Sequence, residues 1–98
     1  MRILPEPIAF EWDKGNLEKN LHRHNVSNKE AEEIFSNEFV KIFEDVKHSH
    51  KEQRFVAYGA TDLNRKLTIV FTVREQKIRV ISARDQNRKE RTVYEQKI

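Results

Sequence analysis

The run Lys77-Ile78-Arg79-Val80-Ile81-Ser82-Ala83-Arg84, followed at once by Arg88, Lys89, Glu90, Arg91, Tyr94 and Glu95, gathers side chains suited to phosphodiester chemistry. Guanidinium groups on a rigid element suit bidentate contact with phosphate. RNA cleavage by the neighbouring 2′-hydroxyl needs a base for the hydroxyl proton, an acid for the leaving 5′-oxygen, and positive charge on the phosphorane. Imidazole is the natural proton shuttle, and the chain has four: His22, His24, His48 and His50. Arg54, Arg79 and Arg84 are the candidates for phosphate contact or transition-state charge. Each has a plainer alternative, a solvated or salt-bridged surface cation. Arg91 and Tyr94, three residues apart, share one face of a helix. Tyr94 can pack on the core, stack on a base or donate a hydrogen bond. Glu11 and Glu90 read as carboxylates that orient arginines, and Trp12 as core. Two His-x-His pairs invite a metal, but helix positions i and i+2 diverge by about 200°. With no cysteine and no further ligand cluster, neither a metal nor a cofactor is expected.

These groups need elements to hold them. Asp13 can N-cap a helix through Arg23 or His24, with Leu17 and Leu21 inward, and Asn25 suits the left-handed residue after it. Ser27 and Glu30 form a capping box opening a second helix, with Ala31, Ile34 and Phe35 on its apolar side. The period then changes from 3.6 to 2. Strands are predicted over 39–44, 54–60, 67–74 and 77–83, with Glu75-Gln76 as a tight turn joining the last two. Ile8 to Trp12 reads as a short strand or an extended lead-in. Residues 86–98 form a last helix with a weak apolar stripe (Val93, Tyr94, Ile98), hence marginally docked and a place for a partner. The expected fold is α+β: two N-terminal helices, a four-stranded antiparallel sheet and a C-terminal helix. Helices cover one sheet face and the other stays polar. Parity puts Arg54 with Val56 and Tyr58, and Arg79 with Lys77 and Ile81, so the two arginines are expected on the open face.

At 98 residues the chain suits one domain, 1–98, with a modest core. The absence of cysteine excludes disulfides. No apolar run approaches the roughly 20 residues of a membrane span, and Met1 to Glu6 lacks a secretory signal, so a cytoplasmic protein without a membrane partner is expected. The net charge of +3 hides an asymmetry. Residues 1–53 hold 8 Lys/Arg against 11 Asp/Glu, net −3, and residues 54–98 hold 11 against 5, net +6. A basic second half attracts polyanions, of which nucleic acid is the commonest.

Phe10-Glu11-Trp12-Asp13, then Asn20 to Ser27 with Glu30-Ala31 downstream, resemble the N-terminal signature of the BrnT family of bacterial toxins. His48-Ser49, Glu52-Gln53-Arg54-Phe55 and Gly59 are similar to its central segment. Arg79 to Arg84, then Arg88 to Arg91 and Tyr94-Glu95, are similar to its C-terminal signature. The resemblance implies a type II toxin–antitoxin toxin of RelE-like fold that cuts RNA without a metal and inhibits translation. It implies a BrnA-like ribbon-helix-helix antitoxin as partner, with operator DNA reached only through the complex. It favours His24 for proton transfer, with Arg54, Arg79, Arg84 and Tyr94 beside it. It places Arg23, His48, Arg88 and Arg91 against substrate. Arg23 stands where the family usually has Lys, Asn25 where it has Gly, and Asn28 where it often has Phe. An arginine keeps the charge but stays protonated at physiological pH. If position 23 moves a proton in the family, the alternative is an inactive nucleic-acid-binding or regulatory partner working through its antitoxin.

Overall fold

The computed structural model describes residues 4–12 and 23–96. Among these, the order is β1 (Phe10–Glu11), α1 (Asn28–Ser36), β2 (Lys41–Glu44), a 3-10 turn (Val46–His48), β3 (Phe55–Ala60), β4 (Lys66–Arg74), β5 (Lys77–Asp85) and α2 (Arg88–Glu95). The expected first helix lies almost wholly outside the described residues. Of its span only Arg23 and His24 are described, both with helical backbone, and Asn25 follows at φ 55°, the left-handed position anticipated for it.

The expected architecture of two N-terminal helices followed by a four-stranded antiparallel sheet is wrong. The sheet has five strands in the order β1-β5-β4-β3-β2, and α1 lies between β1 and β2 in the chain. β1 runs parallel to β5, with Phe10 opposite Ile78 and Glu11 opposite Arg79, so the sheet is mixed. Two residues are too few to show a period, and their partner strand lies almost seventy residues away. What holds β1 is packing: the Phe10 ring meets Phe35 edge-on at 5.6 Å, and Ile78 N–H donates to Ala9 C=O at 2.7 Å.

α1 begins as the sequence requires. The Ser27 hydroxyl accepts from Glu30 N–H at 3.1 Å, and the Glu30 carboxylate accepts from Ser27 N–H at 3.0 Å. Its buried side, Ala31, Ile34 and Phe35, lies on the inner face of the sheet with Phe55, Ala57, Leu67, Ile69, Phe71, Ile78 and Val80. Phe71 sits between Phe35 and Phe55, at ring distances of 4.9 and 5.5 Å. The helix approaches β3 closely at Gly59, where any Cβ would stand 2.6 Å from Ile34 Cγ2.

The helices do not share a face, as had been expected. α2 packs on the outer face, beside Thr68 and Arg84, because Glu90 binds both side chains. Its own N-terminus is capped by a second box, Asn87 with Glu90. The Glu75-Gln76 turn has both residues left-handed, φ 52° and 63°, the geometry that matches strand twist in a two-residue hairpin. Within that hairpin, Val70 pairs with Ser82 and Phe71 with Val80, so Ile81 is an extra, bulged residue in β5.

Candidate functional site

The bulge decides which arginines meet. Side chains alternate along a strand, so uninterrupted parity would place Arg79 and Arg84, five residues apart, on opposite faces. The extra residue at Ile81 restores both to the outer face, where Arg79 lies opposite Thr72 and Arg84 opposite Thr68. Parity from Val56 and Tyr58 places Arg54 on that face too. Two polar rows result. One runs Thr72, Arg79, Glu11 across three strands, with Arg54, just before β3, in line by the same parity, and the other runs Lys41, Tyr58, Thr68, Arg84. Between them lies a mostly apolar row, Phe43, Val56, Val70 and Ser82. Two pleats separate the polar rows, about 13 Å along the strands.

At the first row, Arg79 Nη1 stands 3.7 Å from Glu11 Oε1, the orienting carboxylate the sequence suggested. The Arg54 guanidinium has no ion-pair partner among the described residues. It borders an open pocket of about 610 Å³ lined by His48, His50, Lys51, Glu52, Arg54 and Arg74. Arg74 is held by Glu52, with Nη2 at 2.7 Å and Nε at 3.0 Å from the same oxygen. His48 Nδ1 lies 3.0 and 3.2 Å from the two Asp45 carboxylate oxygens.

At the second row, Arg84 and Glu90 form a fork-to-fork pair at 2.7 and 2.8 Å. Glu90 also accepts from the Thr68 hydroxyl at 3.0 Å and from Asn87 N–H at 2.9 Å. Burial pushes the Glu90 carboxyl up, but the Arg84 fork, Asn87 N–H and the Thr68 hydroxyl outweigh it and hold it below its ordinary value. Hydrogen bonding to Glu90 raises the Arg84 guanidinium in turn. Burial, then the Glu90 charge, push the Tyr58 phenol up. Lys41 Nζ donates to Val93 and Gln96 carbonyls at 3.0 and 2.7 Å, fastening the end of α2 to β2. Tyr94 is half-buried, its phenol raised by burial, and it lines a groove with Phe39, Val40, Lys41 and Lys66. Arg88 and Arg91 are exposed on α2.

Arg23 and His24 lie elsewhere. His24 is exposed beside Asp85, and its carbonyl is gripped by Arg65 Nη2 at 3.1 Å. It stands at the far end of β5 from Arg54, Arg79 and His48. The structure therefore gathers Arg54, Arg79 and His48 at one end and Arg84, Arg88, Arg91 and Tyr94 at the other, with His24 and Arg23 at the edge near Asp85. Asp45, Arg74, Thr68 and Arg65 were missed by sequence reasoning. An Asp three residues before a His in a polar loop is the one local signal that would have found Asp45. The described residues contain no group of three His, Asp or Glu side chains arranged to hold a metal, and no helix among them is long and apolar enough to cross a membrane.

Residues 12–90 match the family model described as the ribonuclease toxin BrnT of type II toxin–antitoxin systems. The crystal structure of the Brucella abortus ribonuclease toxin BrnT is similar in fold, with a TM-score of 0.61 at 20% identity, over 83% of this chain and 99% of that one. No curated protein matches.

Proposed function

The chain belongs to the BrnT family of ribonuclease toxins of type II toxin–antitoxin systems, and on that premise we propose that it cleaves RNA on the outer face of its sheet, without a metal, and so inhibits translation. The observation that carries this reading is that Arg54 and Arg79 share one row of the outer face, with Arg84 brought to the same face by the bulge at Ile81. A phosphorane gains negative charge as the 2′-oxygen attacks, and guanidinium groups on rigid strands meet that charge without reorganising. They supply the positive charge that a metal supplies in other nucleases. The flanking polar rows suit the backbone of a single strand, and the apolar row between them suits its bases. Proton transfer by residue 23 is not required, since Arg23 stands apart from the Arg54 row.

The protein partner is a BrnA-like ribbon-helix-helix antitoxin, and operator DNA is bound only through the complex. Family membership supports a partner, and so does the surface. Among the described residues β2 is an edge strand of the sheet, and Phe39 and Val46, which flank it, are 73% and 74% exposed. Native proteins normally blunt or cover such edges.

The test is incubation of the purified chain with RNA in excess chelator, alone and with translating ribosomes, beside Arg79→Ala. Cleavage by the native chain, slower by about 10²–10³ in the variant, is the expected result, the scale set by loss of one charge-stabilising donor. RNA left intact in both settings would overturn the reading. Cleavage only after metal is restored would overturn its metal-independent part.

A further inference from the structure

We propose that His48, oriented by Asp45, donates the proton to the leaving 5′-oxygen, an inference that rests on the outer face being the RNA-cleaving site. The loop carrying the pair is built to hold it. Asp45 N–H donates to Arg54 C=O at 2.8 Å, extending the β2–β3 ladder by one step. Asp45 C=O accepts from His48 N–H at 3.2 Å and from the Ser49 hydroxyl at 2.6 Å. The same hydroxyl accepts from Arg54 N–H at 3.0 Å. Ser49 thus ties Asp45, His48 and Arg54 into one unit.

The carboxylate accepts from Nδ1 of the imidazole, which fixes the tautomer and leaves Nε2 as the working nitrogen. Exposure divides the labour: the Asp45 side chain is 21% exposed and that of His48 is 61%. An exposed His–Asp pair by itself is worth little. This one opens on a pocket that also holds His50, Lys51 and Arg54, with Arg74 from β4 neutralised by Glu52. Arg79 follows on the next strand, two strands from Arg54 and about 10 Å away. A phosphate bridging Arg54 and Arg79 would present its leaving oxygen at the rim where His48 stands.

In the step, the 2′-oxygen attacks phosphorus and its proton passes to water. The bond from phosphorus to the 5′-oxygen breaks with its electron pair on that oxygen. The His48 imidazolium protonates it through Nε2, and the products are a 2′,3′-cyclic phosphate and a 5′-hydroxyl. The neutral imidazole then regains a proton from solvent. Asp45 touches no substrate and is a positioning residue.

The experiment compares ordinary RNA with RNA carrying a bridging 5′-sulfur, whose thiolate leaves without a proton. His48→Ala and His48→Gln should cut ordinary RNA about 10²–10⁴-fold more slowly with KM little changed. Both should cut the sulfur substrate at the native rate, and added imidazole should restore part of the His48→Ala activity. Asp45→Asn should show the same substrate-dependent loss in milder form, while Arg79→Ala should be slow on both substrates. Equal losses on both substrates for the His48 variants, or none on ordinary RNA, would overturn the assignment while leaving the ribonuclease reading intact. A native chain inert on both substrates, with ribosomes present, would overturn both.

Discussion

Replacing Arg65 by alanine removes a side chain that no sequence signal marked, yet whose guanidinium makes five hydrogen bonds. Nε and Nη2 donate to the two Asp85 carboxylate oxygens at 2.8 and 3.1 Å. Nη1 donates to Glu30 Oε2 at 3.1 Å and to Asn25 C=O at 2.8 Å, and Nη2 to His24 C=O at 3.1 Å. One planar group thereby joins the end of β5, the start of α1 and the segment bearing His24. Each such bond contributes a net 0.5–1.5 kcal/mol or so. Asp85 is 63% exposed, so screening puts the sum at the low end, about 2–3 kcal/mol. For a chain of this size that is a fall in Tm of roughly 10–20 °C. The pH dependence has a definite sign. Arg65 holds the Asp85 carboxyl below its ordinary value, and Ser27 N–H, with Arg65 behind it, does the same for Glu30. Stabilisation from depressed carboxyls is complete above their unfolded values, about 4, and is lost as pH falls through the folded ones. Urea melts of native and Arg65→Ala protein should therefore differ most near pH 7 and draw closer as pH falls through the depressed values of the folded carboxyls, keeping the share owed to the two carbonyl bonds. Arg65→Lys, which keeps the charge but loses the fork, should fall between them. A difference under about 0.5 kcal/mol at neutral pH, the ordinary scale for a surface substitution, or one unchanged on acidification, would refute this account.

Glu90→Gln should destabilise by about 1–3 kcal/mol, because the bidentate partner of Arg84 loses its charge. Its amides at 91–95 should then exchange with solvent faster than those of β4, as hydrogen exchange would show. Gly59→Ala should cost about 1–3 kcal/mol from overpacking against Ile34; adding Ile34→Leu, which removes Cγ2, should recover much of it in denaturant melts. RNA affinity should fall with salt at a log–log slope near −2 if three guanidiniums displace counterions from a single strand, and Arg79→Ala should flatten that slope by about 0.7. A flat salt response in a filter-binding titration would remove the electrostatic argument.

Local chemistry in the chain was legible. The Ser27–Glu30 box, the left-handed Asn25, the Glu75-Gln76 turn and the apolar side of α1 each depend on residues within one or two turns of one another, so propensity and period suffice to read them. The family resemblance was legible for the same reason, as short runs of residues in order. Ile8 to Trp12 reads as a short strand or an extended lead-in, but its place as a fifth strand parallel to β5 was not legible, since that depends on β5 and Phe35 being there to receive it. Nor was the face of α2, which follows from Glu90 reaching Thr68 and Arg84 rather than from its weak apolar stripe. His24, which the motif favoured, stands away from Arg54 and Arg79, while His48, held by Asp45, lines the pocket that Arg54 borders. The sequence by itself determined which side chains were available and what chemistry they suit. Which of them share a surface was decided by the tertiary structure, above all by one bulged residue at Ile81, because a period of two reverses the facing of everything beyond a single inserted residue.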